Sequence, residues 1–196
     1  MLKKWITSFY GDDASQSPDY ARIINRQHFD RLTELINPQK VWYGGNSDRG
    51  DLYIEPTILT DIGWNDDIMQ DEIFGPILPV LTYNDLDEVI SAINNYQKPL
   101  ALYLFSENDA IQQRIIREIP FGGGCINDTI SHLINLELPF GGIGNSGLGS
   151  YHGKASFELF SHSQSIMKKS TWPDVPVRYP PYEGKIKWLR KLSKFI

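Results

Sequence analysis

Between Ile77 and Ile119 the sequence alternates strand-like and helix-like segments, and this alternation constrains the fold more than any other feature. Ile77 to Tyr83 and Leu100 to Phe105 read as strands, while Asp85 to Asn95 and Asn108 to Ile119 read as helices. Strands that alternate with helices of this length predict an α/β chain with a largely parallel sheet and flanking helices. Upstream, Ser17 is the expected N-cap of a first helix, with Pro18 at its first turn and Asp19 favoured by the positive helix end. Tyr20, Ile23, Ile24, His28, Leu32, Leu35 and Ile36 then recur at helical spacing until Asn37-Pro38 stops them. Short strands are expected over Lys40 to Tyr43 and Tyr53 to Leu59, with Gly44-Gly45 and Arg49-Gly50 as turns.

From Phe121 to Gly153 the chain turns glycine-rich, which predicts neither a good helix nor a continuous strand. Regular structure is expected again at Tyr151 to Phe160, then a strand near Gln164 to Lys168, a proline-rich arm from Trp172 to Pro181 and a basic tail. The expected division is a main α/β unit over 1–160, an arm over 161–184 and a tail over 185–196. In the tail, Trp188, Leu189, Leu192, Phe195 and Ile196 line one helical face, while Lys185, Lys187, Arg190, Lys191 and Lys194 occupy other positions. Such a helix suits either an anionic membrane surface, as a peripheral contact, or packing against another subunit.

A chain of 196 residues can bury a real core. The formal charge of −5 gives no reason to expect nucleic-acid binding. Cys125 is the one cysteine, so no intrachain disulfide can form and a cytoplasmic location is the default expectation. No apolar run approaches the length of a membrane span. The basic start, Met1 to Ile6, is followed by too little apolar sequence for a secretory signal.

Gly142-Ile143-Gly144-Asn145-Ser146-Gly147 matches the letters of a dinucleotide-binding fingerprint, but its context fails. That fingerprint follows a buried strand and opens a helix, with an acidic residue about 20 positions on. Here Pro139 interrupts the preceding segment, and the later region reads Met167-Lys168-Lys169. The glycines predict a tight loop instead, where the backbone must pass close to a neighbour.

Read as a longer string, Leu138-Pro139-Phe140-Gly141-Gly142 through Ser146-Gly147-Leu148-Gly149 resembles the glycine loop of aldehyde dehydrogenases, and its continuation through Tyr151-His152-Gly153-Lys154 resembles their class 3 branch. A distant string, Glu72-Ile73-Phe74-Gly75-Pro76, is similar to the E-x-F-G-P motif of the same family. Further likenesses run nearly end to end, among them Tyr53 to Leu59, Lys98 to Tyr103 and Val177 to Tyr182. The resemblance implies oxidation of an aldehyde to a carboxylic acid with NAD or NADP. It assigns Glu72 to the nicotinamide ribose hydroxyls and Phe74 to the nicotinamide ring, and it gives the Pro139 to Gly149 loop a part in shaping the site. A carboxylate can accept from two neighbouring hydroxyls, and Gly75-Pro76 sets the turn that presents it.

The family reaction needs a cysteine nucleophile, an oxyanion donor and a base for water. The resemblance implies that all three, and the main dinucleotide-binding units, lie upstream of the segment matching Met1 to Tyr10. No catalytic residue is therefore assigned in this chain, and the chain alone is expected to be inactive. Cys125 aligns with a different motif, although His132 seven residues on would make a Cys–His pair conceivable. A cysteine among glycine and isoleucine is more often a small apolar filler. His28, His132, His152 and His162 have no metal-ligand spacing, and packing or loop hydrogen bonds account for them. The resemblance further implies a homodimer formed through the arm. The rival expectations are a truncated module that pairs with intact subunits, and a nucleotide-binding protein without chemistry.

Overall fold

Asn25, not Ser17, opens the first helix of the core. In this computed structural model, which describes residues 1–174 and 176–192, α1 covers Leu2–Tyr10 and α2 covers Arg26–Glu34. The Asn25 side chain accepts from the His28 amide at 2.8 Å, the pairing that makes Asn a strong N-cap. The segment between is held out of helix by bonds to other parts of the chain. Asp13 caps a short turn at Ala14–Gln16, and Arg22 reaches Asp51 at 2.7 Å and the Ser15 carbonyl at 2.6 Å. The Ile23 amide donates to Leu52 at 2.9 Å. The Tyr20 hydroxyl donates to the Ile54 carbonyl at 2.8 Å, and burial pushes its phenol above the ordinary range. These tertiary bonds override the local helical pattern.

Strands β1 (Val41–Tyr43), β4 (Thr57–Leu59) and β5 (Ile77–Pro79) form one small sheet, with β4 central. It is antiparallel to β1 and parallel to β5. A hairpin pairs β2 (Ser47–Asp48) with β3 (Tyr53–Ile54). The strand expected over Tyr53 to Leu59 is thus split at Glu55-Pro56, because proline has no amide to donate to a ladder. At that break the chain passes tightly over the Gly44 turn, where a methyl group would lie 2.3 Å from the Pro56 carbonyl oxygen. Phe29 and Leu32 of α2 meet Ile54, Leu59, Ile62, Ile68 and Ile77 in the first apolar core.

The alternation downstream folds in the expected order, although the strand expected over Ile77 to Tyr83 ends at Pro79. Helix α3 (Leu86–Asn95), strand β6 (Ala101–Leu104), helix α4 (Asp109–Glu118) and strand β7 (Gly123–Ile126) follow in order. Strands β6 and β7 are parallel, joined through α4 as a β-α-β unit. Asp85 caps α3, and Asn108 caps α4 by accepting from the Ala110 and Ile111 amides at 2.9 and 3.2 Å. Ile90, Ile115 and Ile119 form the second core, with Leu102, Leu104 and Phe121 against it. The parallel sheet is present as two separate pairs, β4–β5 and β6–β7.

Two expectations are corrected. The glycine-rich segment does contain a strand, β7, because pairing with β6 supplies a ladder that propensity alone would not predict. A methyl at Gly124 would lie 2.1 Å from the Leu102 carbonyl, so its lack of a side chain allows the approach. Conversely, Gln164 to Lys168 is exposed and forms no strand among the described residues, since no neighbouring edge pairs with it. Short helices α5 (Ser131–Ile134), α6 (Gly153–Leu159) and α7 (Ile186–Leu192) complete the chain. The apolar face expected of Trp188, Leu189, Leu192, Phe195 and Ile196 lies outside the described side chains. Among the described residues, no helix is long and apolar enough to cross a membrane.

Two measurements check this account. Leu32 is fully buried in the first core, so Leu32→Ala is expected to cost about 2–5 kcal/mol of stability in urea unfolding; a loss below 1 kcal/mol, on the order of a surface change, would contradict its place there. Asp66 accepts from Lys40 at 2.5 Å and from the Gly63 amide at 2.9 Å, and the Lys40 contact is the main reason its carboxyl is held below 3.8. Because the folded value is the lower one, this contribution is complete above the unfolded value and is lost as pH falls through the folded one. In an NMR titration Lys40→Met is expected to move the Asp66 midpoint upward; an unmoved midpoint would contradict the assignment.

Candidate functional site

The loop carrying Glu72 and Phe74 hangs between the two cores and is gripped from one side by α2. His28 and Arg31 stand one turn apart on the same face of that helix. The His28 Nε2 donates to the Phe74 carbonyl at 2.7 Å. One Arg31 nitrogen donates to the carbonyls of Ile73 at 2.5 Å and Glu72 at 3.4 Å. Gly75 packs on the buried Leu32, where an added methyl would fall 2.6 Å from a leucine Cδ. Phe74 has φ +52°, a left-handed conformation that an aromatic residue adopts only under constraint.

The two site residues face different spaces. Phe74, 75% exposed, borders a cavity of about 840 Å³ with Ile24, Asn25, Gln27, His28 and Arg31. It is no core residue. Glu72 borders a second groove of about 750 Å³, shared with Lys98, Tyr103, His132, Asn145 and Ser146. Among the described residues its carboxylate has no hydrogen-bond partner, so its acceptor capacity faces outward. The loop thus contributes Glu72 to the border of one depression and Phe74 to the border of the other.

The glycine loop reaches the Glu72 groove through Asn145 and Ser146. Its conformation explains its composition: a methyl at Gly141 would lie 2.1 Å from the Gly149 carbonyl oxygen, and one at Gly142 would lie 2.2 Å from that of Ser146. Phe140 and Tyr151 bridge its ends with paired amide–carbonyl bonds of 2.9 Å. Gly144–Ser146 forms only a single short turn, not the long helix that a dinucleotide fingerprint opens.

Cys125 and His132 do meet, with Sγ 3.5 Å from Nδ1. Cys125 also lines an apolar cavity of about 280 Å³ with Leu102, Ile115 and Phe121. His132 is buried between Tyr103 and Phe140, over Gly123, which leaves room for its ring. His152, in contrast, is stacked on Phe140 and touches Tyr151.

Sequence reasoning proposed Glu72, Phe74 and the glycine loop for the site, and it did not anticipate the groove shared by Lys98, Tyr103 and His132. For His28 it expected helix packing or a loop hydrogen bond, and the bond to the Phe74 carbonyl is the second of these. The one available signal was the His28–Arg31 spacing, which marks a shared helix face without saying what lies opposite.

Fold and site together define part of an α/β domain whose functional groups sit on loops between parallel strand pairs. The sequence pattern of the Aldehyde dehydrogenase family matches residues 2–166, and the chain belongs to that family. It is 52% identical over 195 residues to the 4,4'-diaponeurosporen-aldehyde dehydrogenase of Staphylococcus aureus, covering 98% of this chain and 42% of that protein. It is 49% identical over 187 residues to the mouse (Mus musculus) aldehyde dehydrogenase named dimeric NADP-preferring, covering 94% of this chain and 41% of that protein. A solved structure described as the substrate-bound state of Staphylococcus aureus AldH matches with a TM-score of 0.91 and 52% identity, over 97% of this chain and 42% of that one. The chain thus spans about two fifths of the length of these relatives.

Since a side chain at Gly142 meets backbone rather than a movable group, Gly142→Ala is expected to destabilise the loop by about 1–3 kcal/mol. Faster amide exchange across residues 141–149 would register the change, and an unaltered exchange pattern would show that the loop has room for a methyl.

Proposed function

We propose that this chain contributes the cofactor-contacting loop and part of the wall of the active site to an NAD- or NADP-dependent oxidation of an aldehyde to a carboxylic acid. The single observation that carries the reading is the anchored Glu72–Phe74 loop. An exposed carboxylate with no hydrogen-bond partner among the described residues stands near an exposed ring, on a loop held from behind. The names of relatives support it, since they describe aldehyde dehydrogenases, one of them NADP-preferring.

These residues fit the cofactor that the family implies. The Glu72 carboxylate is suited to accept from the paired hydroxyls of a ribose, and the Phe74 ring to pack against the nicotinamide. When bound, NAD or NADP supplies the hydride acceptor. The chain's own contribution is to orient and to enclose. Asn145 and Ser146 close one side of the Glu72 groove, and the apolar edges of Tyr103 and Phe140 line it.

We assign no nucleophile, water-activating base or oxyanion donor among the described residues, and the 196-residue chain by itself is expected to give no aldehyde-dependent NADH. Cys125, tucked between His132 and an apolar cavity, is read as a packing residue. We read residues 1–160 as part of the catalytic unit, 161–184 as an arm that pairs with another subunit, in a homodimer or with a full-length subunit, and 185–196 as a peripheral tail. The exposed apolar side chains of Phe160, Ile166, Met167 and Trp172 support the pairing.

In the intact protein, Glu72→Gln keeps the size of the side chain and removes its charge. It is expected to weaken NADH binding about tenfold or more, by the strength of a hydrogen bond to a charged group. An unchanged affinity in a folded variant, read by NADH fluorescence, would overturn the cofactor reading.

A further inference from the structure

We infer that His28 and Arg31 are positioning residues, which hold the Glu72–Phe74 loop in its binding shape through three backbone carbonyls rather than by touching a ligand. The inference rests on the proposed cofactor role of Glu72 and Phe74, and it adds what keeps those side chains apart.

A bulky residue at φ +52° persists only where its surroundings leave no alternative. A loop free to relax would return Phe74 to an ordinary conformation and swing the Glu72 carboxylate with it, since both lie within one peptide unit of Ile73. The local sequence does not supply the restraint. Glu72 has no side-chain bond among the described residues, and the Phe74 ring is largely in solvent.

The restraint comes from α2. His28 takes the Phe74 carbonyl, Arg31 takes those of Ile73 and Glu72, and Leu32 fills the space against Gly75. Three consecutive carbonyls are thus tied to one rigid element, which is itself anchored by Phe29 and Leu32 in the first core. The Arg31 contacts are charge-assisted, and the two N–H groups of its Nη2 donate to two carbonyls. The same geometry assigns the His28 proton to Nε2, because a carbonyl can only accept.

The test compares His28→Leu, His28→Gln, Arg31→Met and Arg31→Lys in the intact protein. Amide exchange across residues 71–76 reads loop order, and NADH fluorescence reads binding. His28→Leu and Arg31→Met are each expected to speed exchange in that segment about tenfold and to weaken NADH binding by a similar factor, equivalent to about 1.4 kcal/mol. His28→Gln, whose amide can donate to the Phe74 carbonyl, is expected to restore most of both. Arg31→Lys is expected to restore less, since an ammonium replaces the fork with a point charge. Unchanged exchange at 71–76 in both His28→Leu and Arg31→Met would overturn the inference. So would a loosened loop that binds NADH as before while Glu72→Gln binds weakly. Loosening of the loop with no effect of Glu72→Gln would instead remove the cofactor reading and leave the positioning role supported.

Discussion

Leu32 against Gly75 is the contact on which the candidate site depends. A leucine with no exposed surface contributes roughly 1.5–3 kcal/mol by burial, and here its methyls occupy the space that a Cβ at Gly75 would need. The contact fixes the distance between α2 and the loop. With that distance set, His28 and Arg31 fall within hydrogen-bond reach of consecutive carbonyls. A left-handed Phe74 costs about 1–3 kcal/mol, and bonds of this kind, worth about 1.5–3 kcal/mol where a charge takes part, are large enough to offset it. The strained residue is therefore a product of core packing one turn away.

The second half of the chain uses close backbone approach in place of side-chain packing. Gly124 lets β7 lie against β6, Gly123 leaves room for the His132 ring, and Gly141 and Gly142 let the downstream loop fold onto itself. Aromatic contacts then join these pieces, with His132 between Tyr103 and Phe140 and the bridge from Phe140 to Tyr151. The result brings a loop near residue 145 beside a loop near residue 72, which together border one groove. The glycines explain how that groove is built.

Much of the fold was legible because it rests on local chemistry. The strand–helix alternation from Ile77 to Ile119 folds in the order read, with its first strand ending at Pro79 and with Asp85 and Asn108 capping its helices. The misreadings share one cause. Ser17-Pro18 carries a good helix-start pattern, yet Arg22 and Tyr20 commit that segment to bonds with Ser15, Asp51 and Ile54. Gly123 to Ile126 has poor strand propensity, yet β6 offers it a ladder. Gln164 to Lys168 has strand-like composition and no partner among the described residues. In each case a nonlocal partner, present or missing, outweighed preferences of less than about 1 kcal/mol per residue.

The motif around Glu72 and the glycine loop could be read by themselves, and so could membership of the aldehyde dehydrogenase family, because both rest on residue types in a fixed order. What no local pattern contained is that Glu72 and Phe74 border different depressions and that Lys98 and His132 share the Glu72 groove. Those facts depend on where α2, β6 and the loop from residue 141 come to rest. Sequence order determines which groups are available, and only the packing of distant segments decides which of them meet.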